Sequence, residues 1–148
     1  MKIAIASDHA GYVLKEAIKA HYKTSDLTID DLGTHSEDTV DYPDYGKLIG
    51  KAAISGQYAF GIGICGTGIG IGIAANKIKG VRAALIYDEL TAELSKKHND
   101  ANVITFGGRT TSPEQAIKMI DTFIQTRFEP RHQLRIDKIK GIEETKDE

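Results

Sequence analysis

Residues 61–72, GIGICGTGIGIG, set six glycines around Cys65, the only cysteine of the chain. Glycine loses more backbone freedom on folding than any other residue, so a run this dense needs a reason. The stretch divides at the thiol. Ala59–Cys65 (AFGIGIC) is apolar throughout, which predicts a strand buried on both faces, as in a parallel sheet. GTGIG at 66–70 then reads as a strand-to-helix loop, opening a helix over Gly68–Ile78.

The same alternation continues in both directions. Upstream, Lys2–Ser7 (KIAIAS) is a short strand, followed by a helix whose apolar face is Val13, Leu14, Ala17, Ile18 and Tyr22. Thr28–Gly33 is a second, more exposed strand. Asp41–Pro43 reads as a turn, because the proline disfavours helix at Tyr42, and Leu48, Ile49, Ala52 and Ala53 then share a helical face. Downstream, Arg82–Tyr87 is a strand, Glu89–Lys97 a helix and Val103–Gly107 the fifth strand. Ser112–Pro113–Glu114 is a helix start, with serine as N-cap and proline in the first turn. That helix runs to about Arg127, and beyond Pro130 a final helix covers about 131–145, with a frayed end at 143–148. Five strands joined by single helices predict a Rossmann-like three-layer α/β/α sandwich with a five-stranded parallel sheet. The 148 residues form a single domain.

Composition narrows the function. Hydrophobic residues make up 41% and charged residues 27% of the chain, an ordinary globular balance. A formal charge of −2 gives no electrostatic case for nucleic acid or a membrane as partner. One cysteine forms no internal disulfide, and no apolar run suits a signal peptide or a bilayer span. The expectation is a cytoplasmic protein.

Parallel sheets bind ligands beyond the carboxyl ends of their strands. The residues that follow the strands are therefore the candidates: Asp8 and His9, then Cys65, Gly66 and Thr67, then Asp88, then Gly107–Arg109. GIGICG at 61–66 matches G-x-G-x-x-G formally, but its first two glycines fall inside the strand and cannot turn toward a pyrophosphate. No Lys-Ser or Lys-Thr completes a Walker pattern. GTGIG suits an anion instead, either a phosphate or an enolate oxygen. A thiol at such a junction has its thiolate favoured and can serve as nucleophile or general base; a small buried core residue is the plainer alternative. His98 closes a helix, where a histidine often only complements the helix dipole. Arg131 and Arg135, if helical, stand at i and i+4 as a phosphate clamp or as a solvated basic face. The histidines have no metal-ligand spacing.

Together these residues carry a resemblance. I-A-x-x-S-D-H-A-G at 3–11, D-Y-P at 41–43, I-C-G-T-G-I-G at 64–70, A-A-N-K at 74–77, S-x-x-H-N-D-A-N-V at 95–103, F-G-x-R at 106–109 and R-H-x-x-R at 131–135 occur in order. With them the chain resembles the type B ribose-5-phosphate isomerase family, in the group that also holds galactose-6-phosphate isomerase subunits. The resemblance runs from Lys2 to about Ile142. It implies an aldose–ketose isomerase of the pentose phosphate pathway, without cofactor or metal, that works through a cis-enediolate. Cys65 is then the base acting between C1 and C2, His98 opens the furanose ring with Asp8 nearby, and Thr67 assists proton handling. The N–H groups of Gly66, Gly68, Ile69 and Gly70 would hold the enediolate oxygen. His9, Arg109, Arg131 and Arg135 would hold the phosphate, while Tyr42 and Asn99 line the sugar. The resemblance also implies a homodimer or dimer-based tetramer with active sites shared between chains, the C-terminal helix contributing to the contact. A six-carbon preference, for allose 6-phosphate or galactose 6-phosphate, stays open, as does a non-enzymatic sugar-phosphate sensor.

Overall fold

Five short apolar runs become strands: Lys2–Ser7 (β1), Thr28–Asp31 (β2), Gly61–Cys65 (β3), Ala83–Leu85 (β4) and Val103–Gly107 (β5). The computed structural model describes residues 1–145, so the last three positions of the expected frayed end lie outside the described residues. The helices are Tyr12–Tyr22 (α1), Tyr42–Ala53 (α2), Ile69–Ala75 (α3), Glu89–Lys97 (α4), Pro113–Gln125 (α5) and Gln133–Glu144 (α6). A single 3-10 turn, Pro130–His132, precedes α6. All strand pairs are parallel, in the order β2-β1-β3-β5-β4. Among the described residues, no helix is long and apolar enough to cross a membrane.

Side chains alternate across each strand, and here the alternation sorts them by size. Ile3, Ile5, Ile62, Ile64, Ile104 and Phe106 form one face, packed with Leu14, Ile18, Met119, Ile120 and Phe123 of α1 and α5. The opposite face carries Ala4, Ala6 and Val103 against Ile49 of α2 and Ala75 of α3. Gly61 and Gly63 of β3 belong to this face. A Cβ on Gly61 would stand 2.9 Å from Cγ1 of Ile49. The strand glycines thus keep α2 and α3 close to the sheet, and Cys65 follows them on the same side.

A buried ion pair anchors the end of β2. Lys15, fully buried in α1, donates from Nζ to Asp31 Oδ1 at 2.6 Å and to the Thr34 carbonyl at 2.5 Å. Lys19 reaches Asp31 Oδ2 at 2.7 Å, and the Gly33 N–H reaches Oδ1 at 2.9 Å. Burial pushes the Asp31 carboxyl up, but the hydrogen bonds from Lys15, Lys19 and Gly33 outweigh it and hold it below its ordinary value.

Several element boundaries differ from the sequence reading. α2 begins at Tyr42, inside the expected turn, because a proline in the first helical turn removes no intrahelical hydrogen bond. α3 ends at Ala75 rather than Ile78. Asn76 then leaves the helix to bond both the N–H and the carbonyl of Ala83, at 2.8 and 3.0 Å, capping the edge of a β4 much shorter than expected. Ser112 caps α5 as expected, accepting from the Gln115 N–H at 3.2 Å.

Candidate active site

The order in which strands are added reverses at β1: β2 is laid down on one side of it and β3 on the other. That switch point opens a crevice at the carboxyl ends of β1 and β3. A cavity of 220 Å³ lies there, lined by Asp8, His9, Tyr42, Cys65, Thr67 and Arg109, with the glycines Gly66 and Gly70. Eight of the predicted site residues therefore meet in one cleft.

Each is held by local geometry. Asp8 is buried, and its Oδ1 accepts from the N–H groups of Ala10 and Gly11 at 3.0 and 3.1 Å. His9 keeps Nδ1 against the Val40 backbone, 3.2 Å from its carbonyl and 3.3 Å from its nitrogen, on the loop that Lys15 and Asp31 anchor. The Cys65 thiol is buried, and the Gly68 N–H points at its Sγ from 3.2 Å. Gly68 has φ +80°, a left-handed conformation that glycine adopts freely. The Ile69 N–H donates to Thr67 Oγ1 at 3.2 Å. Two of the N–H groups expected to hold an oxyanion are thus engaged with the thiol and the threonine in this structure. The Arg109 guanidinium lies across Gly66, and the Tyr42 ring lies across Gly70, where a Cβ would come within 2.7 Å.

Two expectations are corrected. Asp88 caps α4, accepting from the Thr91 N–H at 2.7 Å in a capping box that holds its carboxyl below the ordinary value. It does not line the cleft. Arg131 and Arg135 do not share one α-helix, because Pro130 opens a 3-10 turn and α6 starts only at Gln133. Each is tethered separately, Arg131 Nε to Glu129 Oε2 at 2.7 Å and Arg135 Nη1 to His132 Nδ1 at 3.2 Å.

His98, Asn99, Arg131 and Arg135 stand apart from the cleft. α4 leaves the carboxyl edge at Asp88 and returns to the amino edge before β5, so His98 and Asn99 lie at the end of the sheet opposite Cys65. The four residue steps from Gly61 to Cys65 alone span about 13 Å. One chain does not bring this thiol and this imidazole onto the same small sugar.

At the amino edge the structure adds residues the sequence reading left out. The His98 and His132 rings lie 4.3 Å apart, and His132 Nε2 is 3.7 Å from Glu129 Oε2. An arginine only donates, so Nδ1 of His132 accepts and a neutral ring carries its proton on Nε2. Burial, then the charges of Arg131, His98 and Arg135, push His132 below the usual histidine value against the pull of Glu129. R-H-x-x-R drew attention to the arginines, while the histidine between them is the buried member. His98, Glu129 and His132 hold donor atoms within 4.8 Å of one another, the one such group among the described residues. Glu129 already serves Arg131, and a second guanidinium bonds His132, so the charge around the trio suits an anion better than a metal ion.

The fold and the cleft define an α/β enzyme that works at a sheet switch point. The ribose/galactose isomerase family matches residues 3–139, and the chain belongs to it. The chain is 42% identical to ribose-5-phosphate isomerase B of Escherichia coli over 144 residues, covering 97% of each. A solved ribose-5-phosphate isomerase B from Clostridium thermocellum superposes with a TM-score of 0.93 at 44% identity, covering 97% of each chain. Another, from Mycoplasma genitalium with bound ribulose-5-phosphate, gives 0.90 at 44% identity, again over 97% of each chain. The chain is an aldose–ketose isomerase.

Proposed function

We propose that the chain interconverts ribose 5-phosphate and ribulose 5-phosphate. The observation that carries this reading is the thiol of Cys65 at the end of β3, with the Gly68 N–H on its sulfur and Asp8, His9, Thr67 and Arg109 around the same cavity. The 44% identity to a chain with bound ribulose-5-phosphate supports the five-carbon substrate.

In this mechanism His98 and Asp8 open the furanose ring. The Cys65 thiolate removes the proton on C2, and the C–H electron pair becomes the C1=C2 bond of a cis-enediolate with its charge on O1. The thiol returns the proton to C1 while the O2 proton passes to O1, with Thr67 beside it. No electrons leave the sugar. With the Gly68 and Ile69 N–H groups on the thiol and on Thr67, the backbone N–H groups of Gly66 and Gly70 face the developing oxyanion. His9, Arg109, Arg131 and Arg135 hold the phosphate, so that binding remote from the reacting carbons orients them. Tyr42 and Asn99 line the sugar.

Because His98, Asn99 and both C-terminal arginines stand away from the cleft, we propose that a second copy of the chain supplies them. A homodimer or dimer-based tetramer then has shared sites. Exposed Leu134, Ile139 and Ile142 on α6 give such a contact its apolar area. A thiol base has to remain reduced, which favours the cytoplasm.

The test is an isomerase assay on five- and six-carbon sugar phosphates, run beside Cys65→Ala. The ribose substrate should have the highest kcat/KM. The variant should still bind it by calorimetry while turnover falls about 10²–10⁴-fold, the usual loss of a general base. Wild-type turnover by Cys65→Ala would remove the thiol from the mechanism, and a higher kcat/KM on a hexose phosphate would reassign the substrate.

A further inference from the structure

Thr105 is a polar residue in the centre of the sheet, fully buried on β5 opposite Gly63. Its Oγ1 donates to the Gly68 carbonyl at 2.9 Å. That carbonyl otherwise meets only the longer 3.3 Å bond from the Gly72 N–H that opens α3. Two hydrogen bonds leave the same turn for the reactive groups. The Gly68 N–H goes to Cys65 Sγ, and the Ile69 N–H goes to Thr67 Oγ1, each at 3.2 Å. The Ile69 N–H and the Gly68 carbonyl belong to one peptide plane. Thr105 therefore grips one end of a plane whose other end holds Thr67. Gly68 itself is wedged against β5, where a Cβ would lie 2.6 Å from the Phe106 Cα.

We propose that Thr105 is a positioning residue for the catalytic thiol: by pinning the Gly68 carbonyl from inside the sheet, its hydroxyl keeps the Gly68 N–H on Cys65 and the Thr67 hydroxyl in register with it. The proposal rests on Cys65 being the base, and deepens that reading. A hydroxyl that only satisfied a buried carbonyl would affect stability and leave the thiol unchanged.

Thr105→Val keeps the shape of the side chain and removes the donor; Thr105→Ser keeps the donor. Gly72→Ala acts from the opposite side, because its Cβ would stand 3.1 Å from Thr105 Oγ1 and displace the hydroxyl by a few tenths of an ångström. The readouts are the rate at which iodoacetamide alkylates Cys65 at neutral pH, and kcat and KM separately. In folded Thr105→Val, alkylation and kcat should both drop about fivefold, the worth of one hydrogen bond, with KM near wild type. Thr105→Ser should restore both, and Gly72→Ala should move both in the direction of Thr105→Val. Wild-type alkylation in Thr105→Val overturns the proposal; if that variant does not fold, wild-type alkylation in Gly72→Ala overturns it. Slower alkylation with unchanged kcat upholds the positioning of the thiol and removes Cys65 as the base.

Discussion

Gly68 shows how much a single residue settles here. Its left-handed φ of +80° and its closeness to the Phe106 backbone leave no room for a side chain. Gly68→Ala should lower stability by about 2–3 kcal/mol, combining backbone strain with overpacking, as read by denaturant unfolding. Restored stability in that variant would mean the turn adjusts freely. The cleft residues were legible in the sequence wherever they end a strand or come just after one, as Asp8, His9, Cys65 and Thr67 do. Asp88 also follows a strand but turns back to cap its helix, a choice made by Thr91 three residues on. Thr105 and His132 were not legible, because their partners, Gly68 and His98, are 37 and 34 residues away in the chain.

Among the elements, the junction of α1 with β2 has the largest electrostatic stake. Lys15 is wholly inside the protein and Asp31 is its principal counter-charge. Asp31→Asn should cost about 3 kcal/mol, since it leaves a buried ammonium with reduced compensation. The Asp31 carboxyl is held below its ordinary value in the fold. Its contribution is therefore present above the unfolded value, near pH 4, and is lost as the pH falls through the lower folded one. Chemical denaturation across the acid range should show this loss in the wild type and a shallower acid limb in Asp31→Asn. An identical limb in both would place the acid sensitivity elsewhere. Strand and helix order was readable from alternating apolar runs and from caps such as Ser112. The ends were less so: Pro43 was compatible with a helix start as well as a turn, and β4 starts at Ala83 against the side chain of Asn76.

For the whole molecule, the sheet puts Cys65 and His98, the two groups proposed for one reaction, at opposite ends. If two chains complete each other's sites, Cys65→Ala and His98→Asn are inactive alone and active when mixed. Random exchange makes half the dimers hybrid, each with one intact site of two, so co-refolding should return about a quarter of wild-type activity. No recovery, with hybrids demonstrated by mass, would overturn the shared site. The five-stranded α/β architecture was readable from the sequence; the separation of His98 from Cys65 follows only once α4 is laid across the full length of the sheet. The size-sorted faces of that sheet have a further consequence for how such a protein can vary over time. One face is an isoleucine and phenylalanine layer whose members can exchange for one another while total volume is kept. The other is lined with alanine and glycine under α2 and α3, and any added methyl there lifts the helices that bracket the thiol. Sequence drift has an open side and a closed side, and Cys65 stands on the closed one.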